Sequence, residues 1–300
     1  MKIKPPRLHT GDRIGIIAPA GPVLPDEIQP GLDFLESLGF QPVCFPHLFD
    51  RKGYLAGEDA SRLKDLHAAF KDKKIKAVLC ARGGYGTHRI LERLDYGLVS
   101  RNPKLLVGYS DLTALLFALF RRSGLIAIHG PVLQNLLKGD GRNAAELVKL
   151  MTSAERAAVN LSGGTVIKGG RAEGVLMGGN LSLICHLLGT PFLPSFKRKL
   201  LFIEDRGETL YRIDRMLTHL LVSGEIEKCA GLMVGTFEEC GDPSSVIDLV
   251  RERCSGLKVP VVTGLPVGHG ELNLPVPIGV RAVLDTRTMS LQLMEACVTG

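Results

Sequence analysis

Short apolar runs alternate with longer amphipathic segments through the first half of the chain. The runs predict buried strands at 14–18, 41–45, 75–80, 105–107 and 125–128. Between them, apolar residues three and four positions apart predict helices over 26–38, over 61–70 and from 111 onward. Strands that are apolar on both faces and alternate with helices are typical of a parallel sheet covered on both sides. The first half is therefore predicted to be an α/β domain of three layers.

The pattern changes after a helix predicted over 143–151. Residues 153–170 are small, polar and glycine-rich, which predicts a linker between domains at 1–152 and 171–300. Beyond it, the pattern predicts strands at 173–177, 200–203, 231–234 and 260–263 and helices at 181–188 and 211–221. Apolar and polar residues alternate over 280–285 and 289–294, which predicts a hairpin with one face in water. The second half is predicted to be a smaller α/β domain.

Composition narrows the class of protein. With 300 residues, 45% of them hydrophobic, the chain can bury a substantial core. The basic residues behind the formal charge of +6 are scattered, so no nucleic-acid partner is expected. No signal peptide follows the basic N-terminus, and the longest apolar stretch, 114–120, is far shorter than the roughly 20 residues of a membrane helix. We expect a soluble cytoplasmic protein with no membrane partner.

Cysteine and histidine spacing lacks the common disulfide and metal motifs. The seven cysteines form an odd set with no C-x-x-C pair, so neither a disulfide framework nor a zinc knuckle is indicated. The eight histidines include no H-x-x-x-H pair, and the sequence has no Asp-rich calcium loop. We therefore expect no metal site and no cofactor.

One serine lies where a predicted strand gives way to a predicted helix. Ser110 follows the run 105–107, and Gly108 between them permits a tight turn. Ligands bind a parallel sheet at the carboxyl ends of its strands, because the strand-to-helix loops and helix N-termini meet there. Two interpretations fit Ser110. It is either a helix cap or a nucleophile held out of the sheet, with backbone N–H groups facing the same space.

A nucleophilic serine needs a base, and the base needs an acceptor that orients it. His269 stands just past the strand predicted at 260–263, with glycine on both sides, and His129 occupies an analogous strand end. Two carboxylates, Glu204 and Asp205, end another apolar strand. The residue pattern alone ranks neither the two histidines nor the two acids.

The loop Arg-Gly-Gly-Tyr-Gly at 82–86 also follows a predicted strand. Its Gly84-x-Gly86 pattern has Arg89 where a dinucleotide-binding motif has its third glycine, which disfavours that function. The exposed N–H groups of such a loop can instead stabilise an oxyanion, with Arg82 available for a substrate carboxylate. The simpler alternative is that the loop is only a turn.

Taken together, these segments closely resemble the LD-carboxypeptidase family of serine peptidases, which also contains the microcin-immunity proteins. The match runs almost end to end, and its motifs are highly specific as a set, although most are weak singly. They are GDRIGIIAPA at 11–20, ARGGYG at 81–86, GYSDLTA at 108–114, HGP at 129–131, GGNL at 178–181, FIED at 202–205, YRIDRML at 211–217 and GLPVGH at 264–269.

The resemblance implies a Ser-His-Glu triad. The family's Gly-x-Ser-Asp motif places the nucleophile on Ser110, its FIED motif places the acid on Glu204, and its late Gly-His places the base on His269. The backbone N–H groups of Gly84 and Asp111 are then expected to form the oxyanion hole. The triad would span both domains, so the cleft between them would be the active site.

The resemblance also implies a fold, a substrate and an assembly. The expected fold is an N-terminal domain like the class I glutamine amidotransferases, joined to a smaller C-terminal α/β domain, and family members are usually homodimers. The usual substrate is a murein tetrapeptide, cleaved between its diamino acid and its terminal D-alanine during peptidoglycan recycling. We expect this small peptide to contact Arg82, Tyr85, Asn180 and Glu208.

Three other functions are weighed against this one. An α/β-hydrolase shares the order serine, acid, histidine, but Leu112 replaces the second glycine of its G-x-S-x-G motif. A non-catalytic binder of cell-wall peptides is disfavoured by the intact triad. The microcin-immunity branch, which cleaves aminoacyl nucleotide analogues, would benefit from an aromatic platform, and this chain has no tryptophan.

Overall fold

Strands and helices alternate over most of the chain. The structure is a computed structural model that describes residues 2–300. Its strands are β1 (Arg13–Ile17), β2 (Gln41–Cys44), β3 (Ile75–Cys80), β4 (Leu105–Gly108), β5 (Ala127–His129), β6 (Ala158–Asn160), β7 (Val166–Lys168), β8 (Arg171–Asn180), β9 (Lys199–Arg206), β10 (Gly231–Glu238), β11 (Val261–Thr263), β12 (Val276–Ile278), β13 (Arg281–Asp285) and β14 (Ser290–Leu293). Its α-helices are α1 (Pro25–Ser37), α2 (Asp59–Lys71), α3 (Tyr96–Arg101), α4 (Thr113–Ser123), α5 (Arg142–Thr152), α6 (Leu181–Leu187), α7 (Leu210–Val222) and α8 (Pro243–Arg253).

The first sheet has six strands in the order β12-β5-β4-β3-β1-β2. The strands β1 to β5 are parallel, and β12 joins the edge antiparallel to β5. Every residue of β4 is buried, as expected for a strand covered on both faces. The predicted α/β class and parallel sheet are confirmed, whereas the likeness to the glutamine amidotransferases stays a prediction.

The second sheet has eight strands in the order β6-β14-β13-β8-β9-β10-β11-β7. The central strands β8 to β11 are parallel, with antiparallel strands on both sides. Strands β13 and β14 form the predicted hairpin. The segment 153–170, predicted as a linker, supplies β6 and β7 at the two edges of this sheet. Such three-residue strands pair through the backbone and need no apolar run, so the sequence pattern does not reveal them.

The two sheets are held together by more than the chain that connects them. Strand β12 comes from the second half of the chain but pairs with β5, with Val276 opposite His129. The Asn180 amide donates to Oγ1 of Thr113 (3.0 Å), which joins the end of β8 to the start of α4. At Gly179 the backbone is so close that a Cβ would lie 2.5 Å from the same Oγ1. The loops that follow β4 and β8 are therefore held against each other.

The structure gives the state of the cysteines, the length of the helices and the grouping of possible metal ligands. All seven cysteines are free thiols, and all but Cys44 are buried. Within residues 2–300, no helix has the length and apolar character needed to cross a membrane. The same residues contain no group of three or more His, Cys, Asp or Glu side chains that could hold a metal ion.

Candidate active site

Ser110 stands on a strained turn between β4 and α4. Its φ of 64° lies in the left-handed region, which is uncommon for a residue with a side chain. Gly108 permits the turn, because a Cβ there would lie 2.3 Å from Cδ1 of Leu112. Helix α4 has Leu112 at its N-cap and, in the described part of the chain, no side-chain capping bond. The serine therefore does not cap α4, and it lines a cleft instead.

The glycine loop after β3 lies directly against Ser110. A Cβ on Gly83 would come within 3.3 Å of Ser110 Oγ, so a larger residue would crowd the hydroxyl. Gly84 has a φ of 107°, a conformation that glycine adopts without strain. The Gly21 amide donates to the Gly83 carbonyl (2.9 Å) and fixes the loop from its other side. The loop therefore presents its backbone beside the serine hydroxyl.

Asp111 ties the serine turn to the end of the glycine loop. Its buried carboxylate accepts a hydrogen bond from the Thr87 amide (2.9 Å), and the Thr87 hydroxyl lies 2.8 Å from the same oxygen. Burial raises the pKa of the Asp111 carboxyl above its ordinary value, while the bonds from Thr87 oppose the rise. The side chain is thus occupied by the loop, which leaves the backbone N–H as the group expected to contribute to chemistry.

His269 and Glu204 form a hydrogen-bonded pair at the second sheet. Nδ1 of His269 lies 2.7 Å from Oε2 of Glu204, whose side chain is fully buried at the end of β9. A carboxylate accepts, so in the neutral form of the imidazole this contact puts the ring proton on Nδ1 and leaves Nε2 with a lone pair. Gly268 brings the loop this close, because a Cβ there would lie 2.8 Å from the same Oε2. The imidazole is therefore held in the tautomer that a base requires.

His129 lies in a different environment. It is completely buried, and neither ring nitrogen has a hydrogen-bond partner among the described residues. Burial lowers the pKa of His129 to about 3, with a smaller effect from nearby His269. Its ring packs edge-on against Tyr109 and Phe202, at centroid distances of 6.0 and 5.1 Å. Of the two histidines that the pattern left open, His269 lines the cleft and His129 lies in the core.

Asp205, the other acid that the pattern left open, is engaged by its neighbours. Its carboxylate accepts from Asn180 Nδ2 (2.8 Å) and from the hydroxyl and amide of Ser182 (2.8 and 3.0 Å). Burial raises the pKa of the Asp205 carboxyl, and these bonds counteract the rise. Asn180 also caps α6 by accepting from the Leu183 amide (3.1 Å). Asp205 and Asn180 thus build one wall of the cleft.

The cleft has a volume of about 620 Å³, a size suited to a small peptide. The residues predicted from the sequence that line it are Ser110, His269, Gly84, Arg82, Asn180 and Glu208. Glu204 lies behind His269. Two other predicted residues do not line the cleft: Asp111 is buried, and the half-exposed ring of Tyr85 packs against Tyr54 at 5.6 Å. Positive φ angles at the glycines on either side of Tyr85 set the direction of this turn.

The cleft also contains residues that the sequence did not single out. Tyr109 is nearly buried, and its hydroxyl accepts from Asn135 Nδ2 (2.7 Å), which leaves the phenolic proton to be donated. Asn135 and Gln134 lie in the loop after β5, another strand end of the first sheet. The rule that identified Ser110, that ligands meet the carboxyl ends of strands, would have pointed to this loop as well.

Some charged side chains in the cleft already form ion pairs within the protein, and others do not. Arg206 Nε and Nη2 donate to the two oxygens of Glu239 (3.1 and 2.6 Å), so each largely satisfies the other. Arg82 Nη1 donates to the Pro22 carbonyl (2.8 Å), and its guanidinium has no carboxylate partner within residues 2–300. Glu208 has a single contact, 3.4 Å from Arg212. The cleft thus retains one available cation and one available anion.

Comparison with known proteins gives the family. Residues 14–130 match the LD-carboxypeptidase N-terminal domain, and residues 173–284 match the LD-carboxypeptidase C-terminal domain. A Bacillus subtilis protein named "Probable murein peptide carboxypeptidase" is 40% identical, covering 95% of this chain and 92% of its own. The murein tetrapeptide carboxypeptidase of Pseudomonas aeruginosa is 36% identical, with 91% and 93% covered.

Solved structures agree in fold over nearly the whole length. A muramoyltetrapeptide carboxypeptidase from Oxalobacter formigenes superposes with a TM-score of 0.83 at 32% identity, covering 94% of this chain and 97% of its own. An MccF-like protein from Bacillus anthracis superposes with a TM-score of 0.92 at 27% identity, with 98% and 99% covered. Two matched domains and relatives of this identity over nearly all of the chain lead to one conclusion: the chain belongs to the LD-carboxypeptidase family.

Proposed function

We propose that the protein is a serine LD-carboxypeptidase that releases the terminal D-alanine of a murein tetrapeptide. The observation that carries this proposal is the His269–Glu204 pair, whose imidazole lines the same cleft as Ser110 on its strained turn. The names of the Bacillus, Pseudomonas and Oxalobacter relatives support the substrate. The family and the site chemistry thus favour the same reaction.

In the proposed reaction, Ser110 Oγ attacks the carbonyl carbon of the bond between the diamino acid and D-alanine. His269 Nε2 accepts the serine proton and then delivers it to the departing amine of D-alanine. Glu204 holds the tautomer and stabilises the imidazolium that forms. Water then hydrolyses the acyl-enzyme with His269 as base, which restores the free serine.

The developing oxyanion would be bound by the backbone N–H groups of Gly84 and Asp111. The contact between Gly83 and Ser110 supports this assignment, because it places the glycine loop against the nucleophile. Removing one donor of this kind typically costs about 3 kcal/mol of transition-state stabilisation. The tie from Thr87 to Asp111 would hold both donors in one rigid unit.

A carboxypeptidase must bind the free carboxylate at the end of its substrate. Arg82 is suited to this role, because its guanidinium lines the cleft and lacks a carboxylate partner in the described structure. Arg206 is less suited because Glu239 already occupies it. Asn180 and the Tyr109 hydroxyl, which also line the cleft, would bind the peptide backbone.

The test is release of D-alanine from a synthetic tetrapeptide, L-Ala-γ-D-Glu-meso-diaminopimelyl-D-Ala, by the purified protein. We expect turnover by the wild type. We expect none above background from Ser110→Ala, whose circular dichroism should be unchanged since the side chain packs little. If the wild type releases no D-alanine, the proposed function is contradicted. If it also binds the peptide tightly, the protein is a non-catalytic peptide binder. Turnover by the variant would contradict the nucleophile.

A second candidate is hydrolysis of an aminoacyl nucleotide analogue, as in the microcin-immunity branch. The close superposition on the MccF-like protein favours it. Against it stands the absence of tryptophan from the sequence, which removes the best platform for stacking a base. Incubating the protein with the tetrapeptide and with an aminoacyl sulfamoyl adenosine side by side decides between the two.

We also propose that the protein works in the cytoplasm as a homodimer. Seven unpaired cysteines support a reducing compartment, and the family resemblance supports the dimer. Light scattering should give twice the monomer mass of 32.4 kDa. Fractionation of cells with an antibody against the protein should locate it in the cytoplasm, and recovery of the monomer mass or of extracellular protein would count against these two points.

A further inference from the structure

A side pocket of about 370 Å³ opens off the catalytic cleft between α6 and α7. Ser182 and Glu208 line both cavities, so the pocket adjoins the cleft. Its other polar walls include Arg212 and Arg215 from α7. Since the reaction proposed above uses none of these α7 side chains, the pocket is available for a different part of the substrate.

The charged groups at this junction are only loosely paired with each other. The contact from Arg212 Nη1 to Glu208 Oε2 is 3.4 Å, against 2.6 Å for the pair of Arg206 with Glu239. The Glu208 side chain is 22% exposed and that of Arg212 is 56% exposed, so both can accept another partner. A contact of 3.4 Å is at the limit of hydrogen bonding and contributes little.

Arg215 adds a second guanidinium to the same wall. Its guanidinium carbon lies 5.4 Å from the centre of the Tyr211 ring, and it has no carboxylate partner within residues 2–300. His186 and His219 also line the pocket and can donate hydrogen bonds. The junction therefore offers one carboxylate beside two guanidinium groups.

We infer that this side pocket binds the zwitterionic end of the diamino acid that precedes the scissile bond. Glu208 would accept from the ammonium group, while Arg212 and Arg215 bind the carboxylate. The inference rests on the proposed function, and it makes Arg212 a specificity-determining residue. A diamino acid whose side chain ends in both groups, such as meso-diaminopimelate, fits this arrangement, whereas lysine ends in an ammonium group alone.

Simpler ligands leave part of the junction unpaired. An isolated anion would face Glu208, whose like charge would repel it. A side chain that ends only in an ammonium group would satisfy Glu208 but bring a third cation next to the two arginines. A ligand with both charges satisfies the carboxylate and the guanidinium groups together, which is why we favour it over either alternative.

The experiment compares two tetrapeptides that differ only in the third residue, meso-diaminopimelate or L-lysine, with kcat/KM measured from D-alanine release. We expect the wild type to prefer the diaminopimelate peptide by about tenfold, the value of one charge-assisted contact. Arg212→Gln should lose about tenfold on that peptide and stay within about twofold on the lysine peptide. Glu208→Gln should slow both peptides.

Arg251→Gln is the matched control. It removes an exposed arginine from α8, where Arg251 pairs with Asp248 three residues away, outside both cavities. Its rates should equal those of the wild type on both peptides, and thermal melts of all variants check that each is folded.

Two results would overturn the inference while leaving the proposed function intact. One is equal cleavage of both peptides by the wild type. The other is an equal loss of kcat/KM on both peptides in Arg212→Gln, which would show that the pocket binds a carboxylate that the two peptides share. Failure of the wild type to release D-alanine from either peptide would instead contradict the proposed function.

Discussion

Ser110 and His129 both stand at strand ends of the first sheet, yet their surroundings give them opposite properties. Ser110 is partly exposed on a turn whose φ of 64° is held by the glycine at 108 and the loop beside it. His129 is sealed between the rings of Tyr109 and Phe202, and β12 pairs along its strand. A neutral, enclosed imidazole at that depth cannot accept a proton from a group in the cleft.

The buried state of His129 predicts a pH dependence of stability. The pKa of a free histidine is about 6.5 and burial lowers that of His129 to about 3, so the unfolded state binds more protons between these values. The free energy of unfolding therefore falls as the pH drops through this window, by about 1.4 kcal/mol per pH unit at most. His129→Phe removes this contribution, and the variant should lose less stability between about pH 7 and pH 4.

Urea unfolding of both proteins at the two pH values measures this difference. His9→Phe, a change at an exposed histidine, is the control and should follow the wild type. Parallel losses of stability in the wild type and in His129→Phe would show that His129 is not kept neutral by the fold.

At the scale of elements, the hydrophobic pattern located most strands and helices. It missed those in which apolar residues are few or are interrupted by proline. Strand β12 contains Pro277, which the pattern treats as a strand breaker, and it is tolerated because β12 is an edge strand. Helix α8 buries little beyond Val246 and Val250, so its apolar stripe is faint. These elements depend on backbone pairing and on their position at an edge, and the sequence pattern reveals neither.

The candidate site likewise contains residues that the sequence pattern predicts and residues that it does not. Ser110 comes two residues after the buried strand β4, and Glu204 lies near the end of the buried strand β9, so their placement could be predicted from the pattern. The Arg206–Glu239 pair could not, because it forms where β9 and β10 end side by side, with Glu238 opposite Arg206. Pairing between strands is a long-range property, and one chain without its fold does not contain it.

The loop that carries His269 predicts a steep effect of one added methyl group. In Gly268→Ala the new Cβ would lie 2.4 Å from Oγ1 of Thr236 and 2.8 Å from Oε2 of Glu204, at a φ of 125°. The loop must shift, which breaks the hydrogen bond from the imidazole to the acid. We expect kcat to fall by about 100-fold, the usual cost of displacing a catalytic group by about 1 Å.

Gly270→Ala, on the other side of the histidine, is the matched control. Its Cβ would approach Cγ2 of Thr236 at 3.1 Å, a contact that a small side-chain shift relieves. D-alanine release by the two variants gives the comparison. Similar rates would mean that the spacing between His269 and Glu204 does not limit catalysis.

At the scale of the whole molecule, the segment between β11 and β12 links the two sheets and passes through the candidate active site. It leaves the second sheet at Thr263, carries His269, and enters the first sheet at Val276. Asn143 of α5 holds it by accepting from the Asn273 amide (2.8 Å) and donating to the Glu271 carbonyl (3.0 Å). Relative movement of the sheets would therefore displace the imidazole.

This connection predicts that the two sheets unfold together. Strand β12 belongs to the first sheet but lies in the chain between β11 and β13 of the second sheet, and Asn143 anchors the loop that leads into it. Unfolding of either sheet therefore pulls on a segment that the other sheet needs for its native contacts. Calorimetry should show one transition whose calorimetric and van't Hoff enthalpies agree. Asn143→Ala should lower the stability of that single transition by about 3 kcal/mol, because its side chain makes three hydrogen bonds, the third being to the Lys138 carbonyl. Two resolved transitions, in the wild type or in the variant, would mean that the sheets are independent units and that the cleft can open without unfolding either.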